Sequence, residues 1–126
     1  LLPESQPNKI IYKAFEKFLD TLNLDNWIIL YIFFEINLIK ELGYDTNLKH
    51  FSDSDDDLGK VKKIKIDGYT YEVPNFLIKQ KVPNSISKSI IKRSLNFTRN
   101  VFLNKFFIPN NLILPKSRVM LENYYN

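Results

Sequence analysis

Apolar residues recur at Ile10, Ile11, Ala14, Phe15, Phe18, Leu19 and Leu22, while Lys9, Lys13, Glu16, Lys17 and Asp20 occupy the other face. That spacing predicts an amphipathic helix over residues 8–22, entered from an extended segment bracketed by Pro3 and Pro7 and capped by Asn8. After a break at Asn23-Leu24, Asp25 offers a second cap. Residues 26–42 are apolar almost all round, the pattern of a central, buried helix, and the short connection predicts a helical hairpin. Gly43 stands where a helix C-terminus favours a left-handed residue, and Tyr44 can fold back onto the last turn.

The pattern then changes. Residues 45–61 are polar and irregular. From Lys62 to Val73 polar and apolar residues alternate about Asp67-Gly68, the strongest short signal for a β-hairpin, and Pro74 ends it. After Pro83, residues from Asn84 or Ser85 to about Phe107 return to helical spacing, with Ile86, Ile90, Ile91, Phe97, Val101 and Phe102 on one broad face. Pro109-Asn110-Asn111 interrupts it. Pro115 opens a short final helix carrying Val119, Met120 and Leu121, with Tyr124 and Tyr125 at its end. The fold class expected is mainly α: a small helical bundle with a β-hairpin insertion, residues 1–126 forming a single domain in which 49–73 are loop and hairpin.

Composition narrows the chemistry. The 126 residues suit one hydrophobic core. The absence of cysteine removes disulfides, thiolate metal sites and Cys nucleophiles. The longest apolar run, Trp27 to Phe34, is too short to span a bilayer and meets Glu35 at once; no secretory pattern is visible, and a cytoplasmic location is expected. The chain is rich in Ile, Asn and Lys, so a single Lys or Asn carries little meaning. The distribution of charge says more than the net +4. Residues 1–57 hold 5 basic and 11 acidic side chains, and residues 58–126 hold 13 basic and 3 acidic. Such asymmetry points either to an acidic partner such as nucleic acid or to mutual attraction of the two halves within the fold.

Asp53, Asp55 and Asp57 match the first three ligand positions of a calcium loop, but Leu58 stands where Gly is required and Ile64 where the bidentate Glu belongs, so a solvated loop is expected and no metal. With one histidine, no cysteine and no Gly-rich phosphate loop, the standard nucleophile and phosphoryl-transfer sets are missing, and the chain is not expected to be an enzyme. Glu35 is the sole carboxylate in a strongly apolar stretch. An unpaired buried charge is costly, so a structural ion pair is expected, with Arg99 and Arg118 as candidate partners. Lys88, Lys92 and Arg99 fall within a narrow arc of a helical wheel, and Lys116 and Arg118 add charge from the last segment. These five are the candidate nucleic-acid-binding residues, acting on phosphates without reading sequence; Arg93 lies off the stripe. Lys62, Lys63 and Lys65, with Tyr69 and Tyr71 across the turn, form a second basic and aromatic patch, ranked lower because strand aromatics more often pack cross-strand.

The run Phe33-Phe34-Glu35-Ile36-Asn37-Leu38-Ile39-Lys40-Glu41-Leu42-Gly43-Tyr44-Asp45-Thr46-Asn47-Leu48 resembles the helical domain of the RecO family of bacterial recombination mediators. Similarity extends to Leu1–Pro7, which looks like the linker before that domain's first helix. Phe97-Thr98-Arg99 and Leu114-Pro115-Lys116-Ser117-Arg118 resemble its last helical segments. The resemblance implies the C-terminal helical domain, without the N-terminal oligonucleotide-binding barrel. It implies a non-catalytic role in DNA repair and homologous recombination: binding single- and double-stranded DNA, annealing strands, working with RecR to load RecA, and receiving the acidic C-terminal tail of single-strand-binding protein. The alternative is a docking domain for that tail or for RecR with no DNA affinity of its own. For the tail, an apolar pocket with nearby cations is implied, offered here by Phe34, Leu38, Lys92, Arg99 and Arg118. Many family members carry an Arg just before the Phe-Glu pair, where this chain has Ile32-Phe33. Many also carry a four-cysteine zinc module after the Leu-Gly-Tyr helix. Here only His50 lies near the first ligand position, and the hairpin region reads as a degenerate form of that module.

Overall fold

The computed structural model describes residues 27–126. The helix expected over residues 8–22 lies outside the described residues. Among them the chain is mainly α, with four α-helices and one two-stranded hairpin.

Helix α1 runs from Trp27 to Glu41 and buries Ile28, Ile29, Ile32, Glu35 and Ile39. It ends in paired reverse bonds: the Tyr44 amide donates to the Ile39 carbonyl at 3.1 Å and the Gly43 amide to Lys40 at 2.9 Å. This double closure needs a left-handed residue, and Gly43 sits at φ +94°. Tyr44 folds back against the core. A single 3₁₀ turn, Leu48–Phe51, follows and buries Leu48.

Strands β1 (Val61–Ile66) and β2 (Tyr69–Pro74) pair antiparallel, with Ile66 opposite Tyr69 and Val61 opposite Pro74. The two-residue turn is Asp67-Gly68 at φ +50° and +87°, the combination whose twist matches the strands. Ile64, Tyr71 and Val73 enter the core from one face, and Lys63, Lys65, Thr70 and Glu72 face water.

Helix α2, Asn75–Lys79, follows directly and buries four of its five residues, Asn75 to Ile78. Its five residues are too few to display helical periodicity, and no element was expected between Pro74 and Pro83. Helix α3 spans Lys88–Phe102, with the Ser87 hydroxyl accepting from the Ile90 amide at 3.2 Å. The helix therefore begins about a turn later than the expected start at Asn84 or Ser85, because the capping hydroxyl belongs to Ser87. Ile91, Ser94, Leu95, Phe97, Thr98, Val101 and Phe102 are buried, and Ile86 and Ile90 are half-buried. The helix widens into a π-helical turn over Leu103–Phe107. Helix α4, Lys116–Tyr124, packs against α3 and inverts the usual preference: Arg118 and Glu122 are buried, whereas Met120 and Tyr124 are exposed.

One core joins these elements. Ile29, Ile32 and Ile39 of α1 meet Val73 of β2, Phe76 to Ile78 of α2, and Leu95, Phe97 and Val101 of α3.

Candidate nucleic-acid and partner interface

The buried charges of α1 and α4 meet at the seam between three helices. The Arg118 Nε donates to Glu35 Oε2 at 2.7 Å and its Nη2 to Glu35 Oε1 at 3.1 Å, a two-pronged contact with both side chains almost wholly buried. The Thr98 hydroxyl donates to Glu35 Oε1 at 2.7 Å and the Tyr31 phenol to Oε2 at 3.0 Å. Arg118 also donates to the Leu95 carbonyl at 2.9 Å. Each carboxylate oxygen thus accepts from two donors, the condition under which a buried pair is tolerated. Burial, then the adjoining Glu35 carboxylate, pushes the Tyr31 phenol well above its ordinary value. Glu122 extends the cluster, lying 2.7 Å from Arg99 and 3.5 Å from Arg118. Of the two arginines expected to partner Glu35, Arg118 makes the contact and Arg99 turns to Glu122.

This corrects two placements. Arg118 is 7% exposed and engaged on every side, so it cannot meet a phosphate without abandoning Glu35. Arg99 is partly exposed but already carries a carboxylate. Lys88 and Lys116 are exposed and Lys92 half-buried, and none of the three forms an ion pair with another described residue.

The polar loop before β1 absorbs further charge. Asp53 pairs with Lys62, Asp55 with Lys60 at 2.8 Å and Asp56 with Lys79 at 3.6 Å. The facing lysines hold the Asp53 and Asp55 carboxyls below their ordinary value, through hydrogen bonds from Lys62 and Lys60 respectively. Asn75, fully buried, donates its amide to the carbonyls of Asp55 and Asp57, both at 3.0 Å. Acids of the first half therefore neutralise part of the basic second half within the fold. Lys63, Lys65, Lys81, Lys88, Lys92 and Lys116 remain outside any ion pair among the described residues. No group of three or more His, Cys, Asp or Glu is arranged to hold a metal among the described residues. His50 is exposed, its ring edge-on to Phe51.

Between α1, the π-helical turn and α4 lies an apolar cavity of about 370 Å³, bordered by Leu38, Phe102, Phe107, Leu114 and Leu121 with the Glu35–Arg118 pair at its wall. The π-helical turn, closed by the Ile108 amide on the Leu103 carbonyl at 2.9 Å, inserts an extra residue into the helical register beside Phe107. Of the residues expected to bind a partner peptide, Leu38 and Arg118 border this cavity. Phe34 packs its ring 6.1 Å from Tyr31 outside the lining, and Lys92 and Arg99 are also outside it. Lys116 stands between Pro115 and Ser117, both of which line it. Phe102, Phe107 and Leu121 also border it; in the sequence they read only as part of helical segments, because single apolar residues on a core face carry no sign that they border a cavity.

The family model described as recombination protein O, C terminal, matches residues 1–99. No curated protein and no solved structure matches the chain.

Proposed function

This chain belongs to the RecO family through its C-terminal domain, and from that premise we propose that it is a non-catalytic binding module of DNA recombination and repair. The module contributes basic surface to DNA and an apolar cavity to a partner protein. The observation that supports this reading is the set of cations left over after the fold has satisfied its own charges. Lys88 and Lys92 on α3 and Lys116 at the start of α4 carry no ion pair with another described residue. Such ammonium groups displace counterions from a phosphate backbone without reading its sequence. Arg118, and in large part Arg99, serve the fold instead.

The partner's contribution is an apolar or aromatic side chain in the cavity beside Leu38, with an adjoining carboxylate taken by Lys116, an unpaired cation whose chain neighbours Pro115 and Ser117 line the cavity. The acidic C-terminal tail of single-strand-binding protein has that chemistry. Cooperation with RecR and assistance to RecA loading and strand annealing are the wider role proposed, in the cytoplasm.

Fluorescence anisotropy over a salt series tests this, with labelled single-stranded DNA and, separately, the acidic tail peptide. DNA affinity that falls with salt and is lost on charge reversal of Lys88, Lys92 and Lys116 supports the reading. Peptide binding without DNA binding makes the chain a docking module alone. Absence of both refutes the proposal.

A further inference from the structure

We infer that the cleft between β2 and α3 seats an unpaired nucleobase, so that this domain holds the bases of a single strand as well as its phosphates. The inference rests on the DNA-binding reading above and assigns it a site that the charge pattern alone did not reveal.

The cleft measures about 250 Å³ and is bordered by Thr70 and Glu72 of β2 and by Arg93, Asn96, Phe97 and Asn100 of α3. Its floor is aromatic: the buried rings of Phe97 and Tyr71 meet edge to face at 5.6 Å. The Tyr71 hydroxyl is already taken by the Asn104 amide at 3.1 Å. The walls carry the unused hydrogen-bonding capacity. The side-chain amides of Asn96 and Asn100, one helical turn apart, bond to no other described residue, and neither does the Thr70 hydroxyl. Each amide offers two donors and an acceptor on one planar group. That is the complement of a base edge, which a single strand leaves unpaired and exposed.

Charge decides between a base and the other extended ligand such a cleft might admit, a peptide. Lys92, half-buried, precedes Asn96 by one turn on α3. On the other side, Lys65 and Lys63 are the cross-strand partners of Thr70 and Glu72, on the outer face of the hairpin. Unpaired ammonium groups therefore stand on both sides of the cleft, as a chain with a regularly repeating anion requires. Arg93 lies at the rim, 3.7 Å from Glu72 and half-exposed, leaving most of its donors unused. Tyr69, 47% exposed and 6.3 Å from Tyr71, offers a ring face at the same end of the hairpin.

The test is a comparison of two strands and two proteins over a salt series. Wild-type chain and the Asn96→Ala/Asn100→Ala variant are each titrated with a labelled oligonucleotide and with an abasic strand of equal length and charge. Neither asparagine supports the core, and equal thermal melts verify that the variant is folded. The expected result is that wild type binds the base-bearing strand roughly tenfold more tightly than the abasic one. The variant should lose that preference while its dependence on salt stays unchanged, because no phosphate contact has been removed. If wild type binds both strands equally, or the variant keeps the preference, the cleft does not seat a base and DNA is held by phosphates alone. If wild type binds neither strand at low salt, the DNA-binding reading itself fails, and the base site with it.

Discussion

Removing one member of the Glu35–Arg118 pair should destabilise the domain far more than removing both. Both side chains are only a few per cent exposed, and the guanidinium holds the carboxylate through two hydrogen bonds of 2.7 and 3.1 Å. In Arg118→Met the carboxylate keeps Thr98 and Tyr31 but stays buried as an uncompensated anion, a change that costs about 3–5 kcal/mol. In Glu35→Leu the guanidinium keeps the Leu95 carbonyl and Thr98, but its remaining carboxylate, Glu122, lies 3.5 Å away and is shared with Arg99, so the loss has the same direction and a smaller size. The double variant Glu35→Leu/Arg118→Met removes both charges and leaves two apolar chains of comparable volume beside an apolar cavity, and it should lie within about 2 kcal/mol of wild type. The assay is urea unfolding at neutral pH. With a slope of about 1–3 kcal/mol per molar for a chain of this size, Arg118→Met should lose more than about 1 M in midpoint and Glu35→Leu less, and the double variant should recover most of the Arg118→Met loss. Additive losses, with the double variant worst of all, would refute the reasoning, because they would mean that each group is stabilised independently of the other.

Other outcomes follow from the same structure. Charge reversal at Lys92 or Lys116 should weaken DNA binding and flatten its salt dependence by up to about one phosphate contact each, read as the slope of log affinity against log salt. Gly43→Ala should cost about 1–2 kcal/mol in thermal or urea unfolding; nothing lies within 4 Å of the added methyl, so the penalty is purely that of φ +94°. The Asp53 and Asp55 carboxyls are held below their ordinary 3.8 by Lys62 and Lys60. Their contribution is present above that value and lost as pH falls through the depressed folded values, so the Asp55 and Asp57 amides, which donate to these two carboxyls, should lose protection in acid, read as exchange relative to the intrinsic rate at each pH. The Tyr31 phenol is shifted the opposite way, from an ordinary 10.0. Its contribution is intact below that pH and declines as pH rises beyond it, and Tyr31→Phe should shallow the alkaline loss of stability.

The hairpin could be read from the chain alone because Asp67-Gly68 meets a backbone demand that few other pairs satisfy, and alternation on either side fixes which face is buried. The end of α1 was legible for the same reason: one glycine at one conformation. Helix α2 was not, since its residues are buried on all sides by partners distant in sequence. Charge was the least legible property. A helical wheel places Lys88, Lys92 and Arg99 side by side but cannot show that Glu122 claims one of them. Nor can it show that Arg118, in a segment reading as basic surface, is the counter-charge of a carboxylate 83 positions earlier. The cleft asparagines stayed hidden for a different cause: in a chain so rich in Asn, identity means little until geometry shows which amides lack a partner.

The reach of Arg118 also bears on where the domain can be cut. The family match closes at residue 99, and a fragment trimmed there would look complete by sequence. It would nonetheless retain Glu35 and discard the only guanidinium that touches it among the described residues. Homology and cooperativity thus draw different borders. For expression, deletion mapping or fusion to another protein, the usable unit extends at least through α4, and a truncation that abolishes binding would report on unfolding before it reported on contact.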